Sequence, residues 1–384
     1  MIKFNFIFSG DVSFGCGVAD RVADRLAERG WTKVILVVDH NLLNVAKVQQ
    51  VTDKIRQSVH SLVEIVCQIS EPTYATLESN RVSSKEVEVD AVIGMGGGSA
   101  IDFAKGMAVL YRNHLSAIRY RGFNKMTEPV LPIIAIPTTA GTGSEITPNA
   151  SFVDSEKKRK LGINGAAVRP RYAYLDPALT VSCPEKPTIS AGVDSLVHAT
   201  EAYVAKRTNP MARLFAREAF KLVFDTLPQV VDSPSNLELR SKVMYGTFLA
   251  AIALMNSGTG PAAAMSYPLG VHFHVPHGIA GGIFLPHVIA YNVRRGVTDY
   301  ADLYEAVECA ETSLSRDAMN QRLVEDMFAT WNRLGVPCRL SGYGFGAGDV
   351  DMFIKDTLEL KAALDQNPVP FHEHEIEGIL EKLI

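Results

Sequence analysis

Three runs of continuous apolar residues constrain most strongly what this chain can fold into. Val34-Ile35-Leu36-Val37-Val38 ends at Asp39, Ala91-Val92-Ile93 runs into Gly94, and Ile133-Ile134-Ala135-Ile136 is bracketed by Pro132 and Pro137. A strand with one face in water alternates apolar and polar residues, whereas a run that is apolar throughout needs cover on both faces. The stretch Val18 to Arg29 carries Val18, Val22 and Leu26 at four-residue spacing, the repeat of a helix laid against such a sheet. Buried strands alternating with helices predict a parallel sheet in an α/β domain, assigned to residues 1–183.

Beyond that point the pattern changes. Helical periodicity predicts helices over Pro187–Lys206, Met211–Asp225, Leu237–Met255, Tyr300–Glu311 and Ala318–Leu334, with Thr188 or Ser190 capping the first. No strand-like alternation occurs there, so residues 184–384 are expected to form an all-α domain, with Gly342–Gly348 as a turn-rich loop. Apolar residues at 47% against 21% charged suit a packed chain. Lys and Arg number 38 against 42 Asp and Glu, a balance of −4 that supplies no basic field for nucleic acid. No stretch reaches the roughly 18–20 apolar residues that cross a bilayer, and MIKFNFIFSGD lacks a signal-peptide core, so a cytoplasmic protein is expected. Cys16, Cys67, Cys183, Cys309 and Cys338 are scattered and form no C-x-x-C, which reads as reduced, mostly buried thiols.

Two of the strands run into glycine clusters. One is Gly94-Met95-Gly96-Gly97-Gly98-Ser99, followed by a helical stretch with Asp102 and Lys105. The other is Pro137-Thr138-Thr139-Ala140-Gly141-Thr142-Gly143-Ser144-Glu145. A glycine turn between a strand and a helix start brings backbone N–H groups and the positive helix end to an anion, usually a phosphate. Asp39, at the end of the first long strand, can accept from ribose hydroxyls and would repel a 2′-phosphate, which favours NAD over NADP. Tight strand–helix turns also need glycine for their own geometry. It is the pair of loops together with a strand-end Asp that points to a dinucleotide. There is no G-x-G-x-x-G after the first strand and no G-x-x-x-x-G-K-[ST].

Asp194 and His198 stand four apart in a predicted helix, so a carboxylate and an imidazole share a face and form half of a divalent-metal site, or else a solvent-facing pair. His272, His274, His277 and His287 fall within sixteen residues, and Pro276-His277-Gly278 is expected to start a helix or turn, from which His277 could complete the site.

The chain resembles the group III, iron-type, metal-dependent alcohol dehydrogenases over essentially its full length. The resemblance rests on Gly96-Gly97-Gly98-Ser99-Ala100-Ile101-Asp102, on Pro137 to Glu145, and on Gly192-Val193-Asp194-Ser195-Leu196-Val197-His198-Ala199-Thr200-Glu201. Pro268-Leu269-Gly270, Pro276-His277-Gly278 and Leu285-Pro286-His287 complete it. It implies a Rossmann-like, dehydroquinate synthase-like nucleotide-binding domain, a helical metal and substrate domain, an active site in the cleft between them, and a homodimer. The metal of that family is held by one Asp and three His. Asp194, His198 and His277 match three of these ligands, but the fourth position, fourteen residues before His277, is Ala263. A further family His, placed near substrate for proton relay, is Tyr267 here. The resemblance also implies cofactor contacts at Asp39, Gly97, Gly98, Ser99, Asp102, Thr138, Thr139, Thr142, Ser144, Lys160, Leu179 and Cys183. Glu71-Pro72-Thr73 departs from the usual Asn-Pro-Thr.

Three states of the metal site follow. Three ligands can still hold Fe²⁺ or Zn²⁺, with water or substrate in the open positions. His272 or His274 can replace the missing ligand. Or no metal binds, and His277, Tyr267 and a lysine handle the proton. Tyr267 is the candidate acid/base, or else it packs over nicotinamide or substrate without titrating. The activity implied is hydride transfer between an alcohol carbon and NAD. The Ala263 and Tyr267 departures are similar to a branch acting on sugar-like polyols. That suggests oxidation of the terminal CH₂OH of a sugar acid such as 3-deoxy-manno-octulosonate to an aldehyde, with Lys160, Arg119 and Arg121 as candidates to meet its carboxylate. A small-alcohol dehydrogenase or aldehyde reductase, a dehydroquinate synthase-like cyclase with recycled NAD, and a non-catalytic descendant are the alternatives.

Overall fold

The three apolar runs become neighbouring strands of one parallel sheet. The computed structural model describes residues 3–8, 10–68 and 71–384. They fall into two compact units, Phe8–Pro184 and Glu185–Ile384, the latter taking in the N-terminal segment as far as Ile7.

The first unit is built on six strands: β1 (Asp11–Phe14), β2 (Lys33–Asp39), β3 (Ser61–Cys67), β4 (Ala91–Gly96), β5 (Ile133–Pro137) and β6 (Tyr172–Leu175). Their order is β1-β6-β5-β4-β2-β3 and every pairing is parallel. The alternate residues of each strand enter different cores. Ile35, Val37 and Val92 pack in one core with Leu77 of α3 (Tyr74–Ser79) and with Ala100, Phe103, Ala104 and Met107 of α4 (Gly98–Leu110). On the other face Val34, Leu36, Val38, Ile93 and Met95 pack with Val22 and Leu26 of α1 (Val22–Arg29) and with Val48, Val51 and Ile55 of α2 (Ala46–Ser58). Cover on both faces is the reason the runs carry no polar residue. The chain reverses its direction of travel across the sheet between β2 and β4, so their carboxyl ends open a crevice where ligands of such sheets bind. Asp39 ends β2 and Gly96 ends β4, and Gly96 pairs in register with Pro137 of β5.

The second unit is helical: α5 (Glu185–Val204), α6 (Pro210–Asp232), α7 (Leu237–Met255), α8 (Pro261–Phe273), α9 (His277–Arg294), α10 (Ala301–Tyr304), α11 (Arg316–Leu334), α12 (Val350–Leu358), α13 (Lys361–Leu364) and α14 (Glu373–Leu383). α5 is its axis, buried continuously from Gly192 to Val204. α9 lies against it through Gly278, Gly281 and Gly282. A β-carbon at Gly278 would stand 1.9 Å from the carbonyl oxygen of Ser190, and one at Gly282 would stand 2.3 Å from Val193. These glycines share one face of α9, and Ser190, Val193, Asp194 and Val197 share one face of α5. Closeness of the two backbones therefore fixes which side chains meet.

Several expectations need correction. α5 begins at Glu185, directly after Pro184, so Thr188 and Ser190 lie inside it and cap nothing; Thr188 Oγ1 instead accepts from Arg240. The expected helix over Tyr300–Glu311 shrinks to the single turn α10, and the Glu308 N–H bonds to the Asp225 carboxylate instead of a carbonyl one turn back. α6 runs past Asp225, through Pro228, to Asp232. Of the five thiols only Cys67 is buried; Cys16, Cys309 and Cys338 are exposed and Cys183 is partly so. Among the described residues no helix is long and apolar enough to cross a membrane.

Gly278→Ala is expected to destabilise the chain by about 2–4 kcal/mol, because the clash is with backbone that cannot rotate away. Gly342→Ala, with nothing near its β-carbon, should stay within about 0.5 kcal/mol. Urea unfolding of both variants checks the difference.

Candidate active site

At the crevice of the first unit the two glycine clusters meet. Gly96 has φ 154°, and a β-carbon there would collide with Asp39 and Ala100, so only glycine lets the end of β4 pass beneath the end of β2. Gly97 precedes α4 and Gly98 begins it. Gly97 faces Thr139, and a β-carbon on Gly98 would lie 2.6 Å from Thr142. The Thr138 N–H donates to the Gly96 carbonyl at 2.9 Å. Asp39, Gly97, Gly98, Thr138, Thr139 and Thr142 are thus brought together at the start of α4, where backbone N–H groups and the helix dipole favour an anion. The Asp39 carboxylate, part-exposed, accepts from Asn41 N at 2.9 Å and Nδ2 at 3.0 Å and has the His40 ring 3.5 Å away. Ser99 follows on the first turn of α4.

The remaining expected contacts are placed differently. Asp102 serves the neighbouring loop: one oxygen accepts from the Ser144 hydroxyl and the other from Ser151 N at 2.8 Å. Lys160 is no solvated basic run. Its side chain is 12% exposed and its Nζ lies 2.9 Å from Glu71, the acid that replaces the usual Asn. Leu179 is fully buried in the core that contains Val38 and Met95. The Cys183 N–H donates to Thr180 O at 3.0 Å just before the unit ends. Glu145 is buried at the end of the Thr-Gly loop, and burial pushes its carboxyl up to about 7.

In the helical unit the α5–α9 contact brings Asp194, His198 and His277 together. Asp194 Oδ1 lies 3.6 Å from His198 Nε2 and 3.9 Å from His277 Nε2. Both separations are too long for hydrogen bonds. The Nδ1 atom of His198 is buried without any hydrogen-bond partner. His277 Nδ1 is 3.0 Å from Ser266 Oγ, whose own hydrogen goes to the Ala263 carbonyl at 2.6 Å. A hydroxyl has one hydrogen, so Ser266 accepts from Nδ1–H, and in the neutral imidazole, the form that binds metals, His277 would turn the lone pair of Nε2 toward Asp194. A lone pair facing a carboxylate oxygen asks for a cation between them. One carboxylate and two imidazoles suit Fe²⁺ or Zn²⁺. The separations exceed by a few tenths of an ångström the roughly 3.4 Å expected of ligands about 2.1 Å from a tetrahedral ion. Among the described residues no group of three His, Cys, Asp or Glu is placed to hold a metal ion as it stands. The donor set suits such an ion by its chemistry, and holding one would require the three side chains to move inward.

α8 supplies no fourth ligand. Ala263 is buried on it, one turn before Ser266 and Tyr267. The Tyr267 ring meets the His277 ring edge-on, with centroids 5.2 Å apart. The amino end of α8 is held by Glu201, seven residues after Asp194, whose buried carboxylate accepts from Gly260 N at 2.6 Å and Ala262 N at 2.7 Å; burial pushes it up to about 7. His272 and His274 do not replace the missing ligand. His272 Nε2 pairs with Asp356 at 2.8 Å, and His274 is exposed where α8 ends in a left-handed turn. His287 packs edge-on to Phe328, and burial holds its imidazole down at about 4. Ser266, Gly281 and Gly282 escaped the sequence reading, and Glu201 and Gly278 stood in its motifs without a role. The spacing of Gly278, Gly281 and Gly282 was the signal that could have found these glycines.

The chain is similar to known proteins over its whole length. Residues 9–177 match the family model for iron-containing alcohol dehydrogenase, and residues 188–384 match the C-terminal model of the Fe-containing alcohol dehydrogenase family. Long-chain-alcohol dehydrogenase 1 of Geobacillus thermodenitrificans (strain NG80-2) is 33% identical, covering 96% of this chain and 93% of its own. The NAD-dependent methanol dehydrogenase of Bacillus methanolicus is 30% identical, with 92% and 93% covered. The crystal structure of a 1,3-propanediol oxidoreductase superposes with a TM-score of 0.93 at 28% identity, covering 100% of both chains.

The depressed His287 gives a pH signature. The folded state takes up its proton near pH 4, the unfolded chain near 6.5. Stability from this group is therefore complete above 6.5 and is lost as pH falls toward 4. His287→Leu should remove about 2–3 kcal/mol of the acid-induced loss between pH 7 and 4. The difference between wild-type and variant urea midpoints across that range measures it.

Proposed function

The chain belongs to the iron-containing alcohol dehydrogenase family, and from that premise we propose that it moves a hydride between the carbinol carbon of a small, uncharged alcohol and NAD. The observation that carries the chemistry is the placement of His277, whose Nδ1 meets Ser266 at 3.0 Å while its Nε2 faces Asp194 at 3.9 Å. Asp194, His198 and His277 would hold a divalent iron or zinc ion, which when bound supplies a Lewis acid to polarise the alcohol oxygen. Ala263 leaves that ion one protein ligand fewer than the family pattern. Ser266 keeps the Nδ1 proton in place, and Tyr267, set edge-on against His277, is the group assigned to pass on the alcohol proton. Backbone N–H groups at Gly97 and Gly98 receive the dinucleotide phosphates, and Asp39 accepts from the adenosine ribose, which favours NAD over NADP.

An uncharged substrate is favoured because two of the three cations that would meet a carboxylate already have partners. Lys160 pairs with Glu71 at 2.9 Å and Arg121 with Asp154 at 3.3 Å, while Arg119 is exposed. A sugar acid such as 3-deoxy-manno-octulosonate would have to displace these acids. The two curated relatives described above are named for a long-chain alcohol and for methanol. Release of NADH with the aldehyde separates this reaction from a cyclase that recycles its NAD.

Two outcomes follow. The kcat/KM for a neutral primary alcohol should exceed that for the ω-hydroxy acid of equal length by at least about tenfold, a difference of ~1.4 kcal/mol. Steady-state NADH formation measures it, and the reverse preference contradicts the neutral substrate. Asp194→Ala and His277→Ala should each abolish turnover while leaving NAD binding intact; near-normal rates in both would remove the metal assignment.

A further inference from the structure

A small cavity inside the helical unit touches Glu201, the carboxylate that holds the start of α8. α5 lines it with Thr200 and Glu201, α9 with Leu285 and Val288, and Tyr300 and Asn367 close it. All six of these residues are buried, while Gln366 and Pro368 form a part-exposed side. The centre of the cavity has room for about one water molecule. No Lys, Arg or His lines it.

Three polar groups at this cavity have bonding capacity left over. Thr200 Oγ1 is buried and has no hydrogen-bond partner among the described residues. The Tyr300 hydroxyl accepts from Asn292 Nδ2 at 2.7 Å, but its own hydrogen meets no acceptor among the described residues. The Glu201 carboxylate accepts from the N–H groups of Gly260 and Ala262, with that of Ala263 at 3.4 Å, and from no side chain. A carboxylate offers about four lone-pair sites, so it can take a further donor. Two buried hydroxyl hydrogens therefore lack an acceptor, beside a carboxylate with capacity to spare, around a space the size of a water. Hydroxyls buried without partners are costly. A bare cation does not cure this, because it accepts no hydrogen, and the charge of Glu201 is already met by the amino end of α8.

We propose that the cavity is a binding site for one resident water molecule, which accepts hydrogens from the Thr200 and Tyr300 hydroxyls and donates one to the Glu201 carboxylate. Three partners are the usual number for a buried water. The same water solvates a carboxylate that burial drives toward its neutral form, since a donated hydrogen bond favours the ionised one. Glu201 can then serve the α8 N–H groups as an anion.

Thr200→Val tests the occupant through the sign of its effect. Valine keeps the shape and the β-branching of threonine and removes only the hydroxyl. If that hydroxyl bonds a resident water, its loss leaves the water a partner short, and the unfolding constant from urea titration should rise by about 3–10-fold. If the cavity is dry, the change exchanges an unsatisfied hydroxyl for a methyl group, so an unfolding constant that stays level or falls overturns the proposal. A crystal structure of the wild-type chain supplies a readout that needs no variant. Solvent density within about 2.6–3.0 Å of Thr200 Oγ1, the Tyr300 hydroxyl and a Glu201 oxygen is expected, and a cavity without density contradicts it. Thermal midpoints in choline chloride and in NaCl or KCl of equal ionic strength should agree within about 1 °C, whereas a selective rise with Na⁺ or K⁺ would assign the cavity to a cation and overturn the water.

Discussion

The backbone-to-backbone approach of α9 to α5 is the constraint on which the chemistry of the helical unit depends. With Gly278 against the Ser190 carbonyl, no side chain of any size can intervene. The first residue of α9, His277, is then delivered to the level of Asp194, and α5 itself carries His198 one turn further along. Ser266 and Tyr267 on α8 reach His277 from another side, one fixing its proton and the other meeting its ring. Glu201 ties the start of α8 back to α5, so two of the three helices around His277 are also joined by one buried carboxylate. Deleting such a carboxylate would strand the N–H groups it satisfies, typically at a cost of about 1–3 kcal/mol.

The nucleotide-side unit solves a different problem with the same economy of space. Parallel strands covered on both faces leave only their carboxyl ends open, and glycine at Gly96 and Gly98 lets backbone and threonine side chains close up there. The buried Lys105–Asp102 pair ties the end of the Thr-Gly loop to α4 through Ser144, Thr147, Asn149 and Ser151. Burial lowers the affinity of the Lys105 amine for its proton, and the neighbouring acids Asp102 and Glu145 act in the opposite sense.

Features with one physical explanation were legible in the sequence. A run such as Val34–Val38 has no fate but a strand covered on both faces, and the Leu237–Met255 helix was found to the residue. β3 was missed because it lies at the sheet edge and keeps Glu64 and Val66 exposed, which breaks the apolar run. α8 and α9 contain Pro268 and Pro286 and several glycines, so local propensity argued against helices that packing then enforced. The histidines could not be sorted by spacing. His272 faces Asp356, eighty-four residues away in sequence, and His287 faces Phe328, while His277 owes its place to the glycine beside it. Lys105 was visible only as one lysine on a helix, because two of its acceptors are the Thr147 and Asn149 carbonyls, whose positions no side-chain pattern encodes.

If the α5–α9 approach creates the metal site, widening it by one methyl group should dissolve the site and spare the other unit. Elemental analysis of wild type and Gly278→Ala, each loaded with Fe²⁺ or Zn²⁺ and dialysed, measures this directly. The expected result is about one divalent ion per wild-type chain and almost none in the variant, with NADH binding preserved in both. A Gly278→Ala chain that retains its ion, or a wild-type chain that never holds one, would contradict it.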